Sequence, residues 1–220
     1  PLQVKSVRGF IGVSADAGLR LAETQVSGLT EIATAFFPRQ IKELQLAWRI
    51  RDANWQSTIA SERLALSIQA DALHLYSVGE GIVFGSTVLN YLISGAPVSS
   101  LTVAAPTNYA NVEFTGREVR NWKPTANGYE VELHNPISGA YTLLATYDLQ
   151  FDPKGAELDF NGIEPLGVQS EQGYVIVVSQ SQFTTVPAPL SPGLIKLETG
   201  EIPTEYRLLF DAPILAAYQY

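Results

Sequence analysis

Residues 121–147, NWKPTANGYEVELHNPISGAYTLLATY, decide the fold class. Asn127 and Gly128 form the strongest short-range signal for a β-hairpin, and they join residues 121–124 to residues 129–133. In the second of these segments apolar and polar side chains alternate, as they do in a strand with one buried face. The stretch therefore predicts two antiparallel strands joined by a tight turn.

The residues after this hairpin repeat the pattern. A turn is predicted at residues 135–139, which contain Pro136 and Gly139. The segment that follows has an apolar side chain at every second position, namely Tyr141, Leu143, Ala145 and Tyr147. Short strands at this spacing, separated by turn residues, are typical of an antiparallel β-sandwich.

Strand patterns also extend outward from this region. Residues 61–78 contain no Gly or Pro and fit a helix as well, but their period-two alternation runs longer and favours a strand. The apolar run at residues 173–178 predicts a central strand, and Pro187, Pro189 and Pro192 predict an edge or a connector after it. We therefore expect an all-β chain throughout.

The opening and the closing parts of the chain resemble each other. Residues 9–11 (GFI) match residues 173–175 (GYV), and both segments continue to a Val-Ser pair. Coincidence, the start of a next tandem unit, and two duplicated sheets in one domain all explain this similarity. We predict a main sandwich region over residues 1–155 and a second β region over residues 156–220, with the boundary between Gly155 and Gly167.

The composition limits the function classes. Of the 220 residues 46% are hydrophobic and only 16% are charged, well below the usual quarter or so. Such a chain either buries much of its surface or presents surface to other copies. The net charge of −8 and the scattered Lys and Arg residues argue against nucleic-acid binding.

Two residue types are missing from the chain. Because there is no Cys, disulfides, thiolate metal sites and a cysteine nucleophile are excluded. Because translation begins with Met and this chain has none, we expect a processed protein or a part of a longer one, and both origins stay open. No apolar run reaches the length of a membrane span, so no span is expected in this chain.

Motifs for catalysis or for a cofactor are not found. His74 and His134 are far apart and lack metal-ligand spacing. The acidic stretch at residues 148–159 lacks the order of a dedicated calcium loop. No nucleophile elbow or phosphate-binding glycine loop occurs. The sequence therefore predicts no catalytic residue, no metal and no cofactor.

Two sets of residues are candidates for binding. Trp48 alternates with apolar neighbours and is predicted to fill the core, whereas Trp122, Trp55 and Tyr129 are predicted to stack on a sugar ring. The apolar C-terminal segment is predicted to pair with the sheet edge of another copy, with internal pairing as the alternative. The assembly residues of this segment are Ile214, Leu215, Tyr218 and Tyr220.

Several short segments carry a family resemblance. They are residues 101–103 (LTV), 112–114 (VEF), 120–122 (RNW), 129–133 (YEVEL) and 139–143 (GAYTL). The chain resembles β-sandwich modules of large bacterial cell-envelope and surface proteins. The resemblance implies a non-catalytic, extracytoplasmic structural or adhesive module, whose partners are other copies or neighbouring modules. A carbohydrate-binding module is the alternative, and a hydrolase whose acidic residues meet in the fold is a third.

Overall fold

The computed structural model describes residues 7–154, 157–183 and 190–220. The chain divides into two compact units, unit 1 with residues 1–66 and 94–97 and unit 2 with residues 67–93 and 98–220. Strands make up 59% of the structure and helices 5%. The predicted all-β, sandwich-like fold class is confirmed. The boundaries of these units differ from the predicted division between residues 155 and 156. That division rested on internal sequence similarity and stays a prediction. Residues 155 and 156 themselves lie outside the described residues.

Unit 1 consists of two small antiparallel sheets. Its strands are β1 (Phe10–Ser14), β2 (Leu19–Ser27), β3 (Leu29–Glu31), β4 (Leu44–Ile50) and β5 (Gln56–Arg63). One sheet has the order β1-β4-β3, and β2 pairs with β5 in the other.

Side chains of β4 connect the two sheets of unit 1. Gln45 accepts a hydrogen bond from the Leu21 N–H (2.8 Å) and donates one to the Leu19 carbonyl (2.7 Å). The Trp48 indole N–H donates to a Glu23 carboxylate oxygen at 2.7 Å, and its ring is only 1% exposed. The prediction that Trp48 fills a core is confirmed.

The described residues of unit 2 are built on one nine-stranded sheet. Its strands are β6 (Ser67–Val78), β7 (Ile82–Ala104), β8 (Ala110–Thr115), β9 (Val119–Pro124), β10 (Gly128–Gln150), β11 (Glu164–Leu166), β12 (Ser170–Val178), β13 (Ile195–Lys196) and β14 (Ile214–Gln219). The main order is β13-β14-β12-β6-β7-β10-β8, while β9 pairs with β10 and β11 pairs with β7. A single helical turn, α1 (Thr204–Arg207), precedes β14.

The predicted hairpin around Asn127 and Gly128 is confirmed, because β9 pairs antiparallel with β10 and Tyr129 lies opposite Pro124. The turn predicted at residues 135–139 is wrong. These residues belong to the 23-residue strand β10, which pairs with β7 on both sides of them and shifts register between Glu132 and Gly139. Pro136 and Gly139, the latter with φ +77°, therefore bend a continuous strand and do not reverse it.

One strand pair departs from the antiparallel expectation. The apolar run at residues 173–178 forms the last six residues of β12, a central strand as predicted, with β14 antiparallel on one side. On its other side β12 runs parallel to β6, so that Tyr174 lies opposite Leu73. A parallel pair needs a long crossover, which local alternation does not reveal.

The two segments that resemble each other in sequence occupy different positions. The opening segment forms β1, an edge strand of the three-stranded sheet in unit 1. The later segment forms the interior strand β12 of unit 2. Both are strands, and whether they are copies of one repeat stays a prediction.

Side-chain alternation gives the β12-β6-β7 region of the sheet two faces. The inner face carries Ala72, His74 and Tyr76 of β6 and lies against the main core of unit 2. The outer face carries Asp71, Leu73 and Leu75 of the same strand. Part of the outer face packs on residues 197–212 and forms a second, smaller core. The fully buried members of this second core are Leu73, Ile176, Val178, Ile202 and Ala217.

Two parts of this outer face are named for what lies over them. The covered half packs against the segment 197–212 and comprises Leu73, Leu75, Val88, Ile176 and Val178. The open half continues the same strands beyond that segment and comprises Gln69, Asp71, Asn90, Leu92, Ser170 and Gln172.

Candidate functional site

The open half contains a groove of about 300 Å³. Three strands supply it, since β12, β6 and β7 are neighbours in the sheet. Its lining residues are Gln69, Ala70, Asp71, Asn90, Leu92, Ser170, Glu171 and Gln172. Residues of β6 and β12 that are about a hundred positions apart in the chain meet here because the two strands run parallel and in register.

Hydrogen bonds between neighbouring strands fix the polar side chains of the groove. Gln172 lies opposite Asp71, and its amide nitrogen donates to Asp71 Oδ1 at 2.8 Å. Asn90 lies opposite Thr142 of β10, whose hydroxyl donates to Asn90 Oδ1 at 2.7 Å. These bonds leave the Asn90 amide nitrogen, Asp71 Oδ2 and the Gln172 amide oxygen without a partner among the described residues. The groove therefore presents oriented donors and acceptors.

Two tyrosine rings continue the outer face from Gln172. Tyr174 of β12 and Tyr206 of α1 have ring centroids 5.2 Å apart at an interplanar angle of 60°. Burial raises the pKa of Tyr206, and the negative charges of Glu205 and Asp71 add to this effect. The Tyr206 phenol is therefore neutral at pH 7.

A chain of hydrogen bonds runs through the inner face behind the groove. The Tyr220 hydroxyl donates to Glu171 Oε1 at 2.7 Å, and His74 Nε2 lies 2.9 Å from the same hydroxyl oxygen. His74 Nδ1 lies 3.2 Å from Thr87 Oγ1, which in turn lies 3.2 Å from the Tyr147 hydroxyl. His74 is only 3% exposed and Thr87 is fully buried. Five side chains are thus linked in series: one each from β12, β6, β7 and β10, and that of Tyr220, which follows β14.

The protonation state of His74 determines which group donates and which accepts in each hydrogen bond of this series. Burial lowers the pKa of His74 to about 4, so the ring is neutral at pH 7 and carries one N–H. Because the Tyr220 proton goes to Glu171, the His74 Nε2–H must donate to Tyr220. His74 Nδ1 then accepts from Thr87, and Thr87 accepts from Tyr147. In each hydrogen bond of this five-residue series, the group farther from Glu171 donates to the group nearer to it.

Burial raises the pKa of both groups at the Glu171 end of this hydrogen-bonded series. Burial raises the pKa of Glu171, and the hydrogen bond from Tyr220 partly offsets that increase. Burial, followed by the hydrogen bond and the charge of Glu171, raises the pKa of Tyr220. The arrangement holds a neutral imidazole and a neutral phenol beside a carboxylate, and it fixes the position of the Tyr220 side chain.

Gly162 closes the inner face over His74. It has φ +75°, and a Cβ at this position would lie 2.6 Å from His74 Cε1. Only glycine allows the backbone both this conformation and this close approach. The segment that contains Gly162 therefore packs directly against the imidazole.

Unit 1 has a wider cavity of about 550 Å³. Its lining residues are Ser14, Ala15, Asp16, Leu19, Leu21, Lys42 and Glu43. No side-chain hydrogen bond joins these residues to one another in the part of the chain that the structure describes. The groove of unit 2 is therefore the better-ordered candidate.

The predicted sugar-stacking residues belong to two different units of the structure. Trp122 and Tyr129 pack around Phe114 at centroid distances of 5.8 Å and 5.4 Å and border the main core of unit 2. Trp55 belongs to unit 1 and is 43% exposed. Ligand binding by these residues stays a prediction, and none of them lines the groove.

The predicted assembly strand has partners within unit 2. Ile214 and Tyr218 belong to β14, which pairs with β12 along its length. On the opposite side β13 pairs with Tyr218 and Gln219, and the Leu197 N–H donates to the Ala217 carbonyl. Residues 214–216 of that edge have no strand partner among the described residues. Strand exchange with another copy stays a prediction.

Exposed leucines occur in the same C-terminal part of the chain. Leu208 and Leu209, directly after α1, are 80% and 56% exposed. Ile195 of β13 is 63% exposed. These are large apolar side chains that the unit itself leaves uncovered.

The remaining charged residues are not arranged for metal binding. No group of three or more His, Asp or Glu side chains within residues 7–154, 157–183 and 190–220 is placed to hold a metal ion. In the acidic stretch, Asp148 accepts a hydrogen bond from Asn111 and Asp152 accepts one from the Lys154 N–H. His134 is exposed on β10. No helix in these described ranges is both long and apolar enough to cross a membrane.

The sequence predictions missed the groove and the hydrogen-bonded chain. One local signal was present: on β12 the outer-face positions change from Ser170 and Gln172 to Tyr174 and Ile176. A change from polar to apolar on one face of one strand indicates that only part of the face is covered. Nothing in the sequence indicated that β6 would pair in parallel with β12, and this pairing completes the groove.

Comparisons with known proteins yield a distant likeness only. No protein-family model and no curated protein matches the chain. Among solved structures, an M1 zinc metallopeptidase from Deinococcus radiodurans is 19% identical, with a TM-score of 0.32 over 53% of this chain and 33% of that one. A two-domain M1 zinc metallopeptidase mutant bound to L-arginine is 16% identical, with a TM-score of 0.36 over 72% of this chain and 38% of that one. The chain spans about a third of the length of these proteins, and similarity at this level carries no functional argument.

Proposed function

We propose that this chain is a non-catalytic structural or adhesive module that acts by packing against protein surfaces, in the first place those of its own copies. The observation that carries the proposal is the C-terminal part of unit 2. There, residues 214–216 on one edge of β14 have no strand partner among the described residues, and Leu208 and Leu209, a few positions earlier, are exposed. The envelope or extracellular setting is proposed on the sequence resemblance alone.

Both features favour association with another protein. An open strand edge offers backbone N–H and C=O groups to a strand of another chain. Burying apolar surface contributes roughly 25 cal/mol per Å², so two covered leucines add a favourable term to such a contact. The low charged fraction of 16% reduces the cost of removing surface from water.

Sedimentation velocity over a range of protein concentrations tests this proposal. The native chain is expected to self-associate, and Leu208→Ser with Leu209→Ser is expected to weaken the association at least tenfold. The matched control is Leu64→Ser with Leu66→Ser, which changes two leucines of unit 1 that are 38% and 44% exposed. A native chain that stays monomeric at every concentration, or an equal loss in both double variants, would overturn the proposal.

A further inference from the structure

The polar side chains of the groove are ordered before any ligand arrives. The hydrogen bonds from Gln172 to Asp71 and from Thr142 to Asn90 hold two amides and one carboxylate across adjacent strands. Their unused atoms include both donors and acceptors. A ligand that meets them must offer both kinds of group within a short distance, as neighbouring hydroxyls do.

The charge of the groove narrows the ligand class further. Asp71 is the titratable residue on the outer face of the groove, because the Glu171 side chain lies on the inner face, and no Lys or Arg among the described residues lines the groove. Phosphate, sulfate and carboxylate groups would therefore meet negative charge without a compensating cation. The Glu171 carboxylate already accepts a hydrogen bond from the Tyr220 hydroxyl. A neutral ligand avoids this repulsion.

Apolar surface lies next to the polar atoms. Leu92 follows Asn90 on the outer face of β7 and is 54% exposed. Tyr174 and Tyr206 continue the same face beyond Gln172. A ligand that carries C–H surfaces as well as hydroxyls contacts both kinds of neighbour, because aromatic rings with a polar tip suit amphipathic partners.

We propose that the groove formed by Gln69, Asp71, Asn90, Leu92, Ser170 and Gln172 binds a neutral oligosaccharide. Sugar hydroxyls satisfy the free donors and acceptors of the amides and of Asp71, and the C–H face of a sugar ring packs against Leu92 or the tyrosine pair. The volume of about 300 Å³ is at the lower end for small-molecule sites, which suits a short saccharide segment. The residues that line the groove do not include the leucines or the strand edge that carry the proposed function.

The test uses the whole chain on an array of neutral hexose oligosaccharides, followed by calorimetric titration of the best binder. Asn90→Ala with Gln172→Ala is expected to weaken binding at least tenfold. Asn111→Ala, a polar change on β8, and Trp55→Ala, at an exposed aromatic of unit 1, are expected to change it less than twofold. Thermal unfolding verifies that the double variant is folded.

Several outcomes would overturn the assignment of the groove. These are an array without any binder, unchanged affinity in the double variant, loss of binding in Trp55→Ala, and selective binding of anionic glycans. Binding of Ca²⁺ alone, measured by titration of the metal without saccharide, would also overturn it. Loss of saccharide binding with unchanged self-association would leave the proposed function intact, so the two proposals fail separately.

Discussion

The open half and the covered half of the outer face lie on the same strands but differ in composition. On β6, Asp71 lies in the open half and Leu73, two positions later, in the covered half. β12 changes in the same way from Gln172 to Ile176. Among the described residues, the segment 197–212 packs on the covered half, and it does not line the groove of the open half.

This difference shows what determines whether the side chains on the outer face of the sheet are polar or apolar. Where a second layer covers the outer face, the strand is buried on both sides and is apolar at successive positions, as at residues 173–178. Where that layer ends, polar residues return to the outer face and the period-two pattern is restored. The segment 197–212 therefore determines where the sheet can present a polar groove.

The largest expected effect is the loss of packing in the covered half. Ile176 is fully buried in the second core, so Ile176→Ala should reduce the free energy of unfolding by about 2–5 kcal/mol. Gln172→Ala, on the same strand in the open half, should change it by less than about 0.5 kcal/mol. Urea denaturation measures both values. Equal effects of the two substitutions would break the comparison between the halves.

The inner face behind the groove should give a pH dependence. The pKa of His74 is about 4 in the folded chain and about 6.5 in the unfolded chain, so the unfolded state binds more protons between these values. The His74 contribution to stability is present above pH 6.5 and is lost as the pH falls towards 4. The loss amounts to at most about 3 kcal/mol.

Glu171 acts in the opposite direction and must be separated from His74. Its raised pKa means that its protonated form favours the folded state, so its contribution is lost as the pH rises through its folded pKa. We therefore expect urea denaturation of Glu171→Gln to show the His74 dependence in isolation. Adding His74→Gln should flatten the curve between pH 6.5 and 4. An unchanged slope would mean that His74 is not the buried titrating group.

A smaller effect is expected from Gly162, which packs on His74. Gly162→Ala places a non-glycine residue at φ +75° and a Cβ against the imidazole, at an expected cost of about 1–3 kcal/mol. Gly167→Ala is the matched control, because Gly167 has φ +74° and no neighbour within 4 Å of an added Cβ. Thermal and urea unfolding should rank Gly162→Ala as the more destabilising change. The reverse order would show that the close approach to His74 does not matter.

The smallest expected effect is that of an apolar residue in the open half. Asp71→Leu removes the hydrogen bond from Gln172 and adds apolar surface where nothing among the described residues covers it. Its effect on the free energy of unfolding should stay within about 0.5 kcal/mol. A stabilisation of several kcal/mol would show that the open half is covered in solution.

Local patterns predicted much of the fold but little of the candidate site. The Asn127 and Gly128 turn, the central strand at residues 173–178 and the burial of Trp48 follow from neighbouring residues, and all three are confirmed. The turn at residues 135–139 was wrong, because Pro136 and Gly139 suit a bulge as well as a reversal.

The groove and the His74 chain depend on pairing between distant strands. Asp71 and Gln172 are 101 positions apart, and His74 and Tyr220 are 146 apart. No periodicity within either strand shows which partner it will take, and a histidine between Leu73 and Leu75 does not reveal its hydrogen bonds. Predicting the groove and the hydrogen bonds of His74 would have required the order of the strands in the sheet.

The central claim is that copies contact each other at residues 208–209 and at the edge of β14 formed by residues 214–216, while the groove stays open. Amide hydrogen exchange at low and high protein concentration tests this claim most directly. We predict that protection increases with concentration at residues 208–209 and 214–216 and is unchanged at residues 69–71 and 170–172. Unchanged protection everywhere, or an increase at the groove in place of the C-terminal edge, would contradict it.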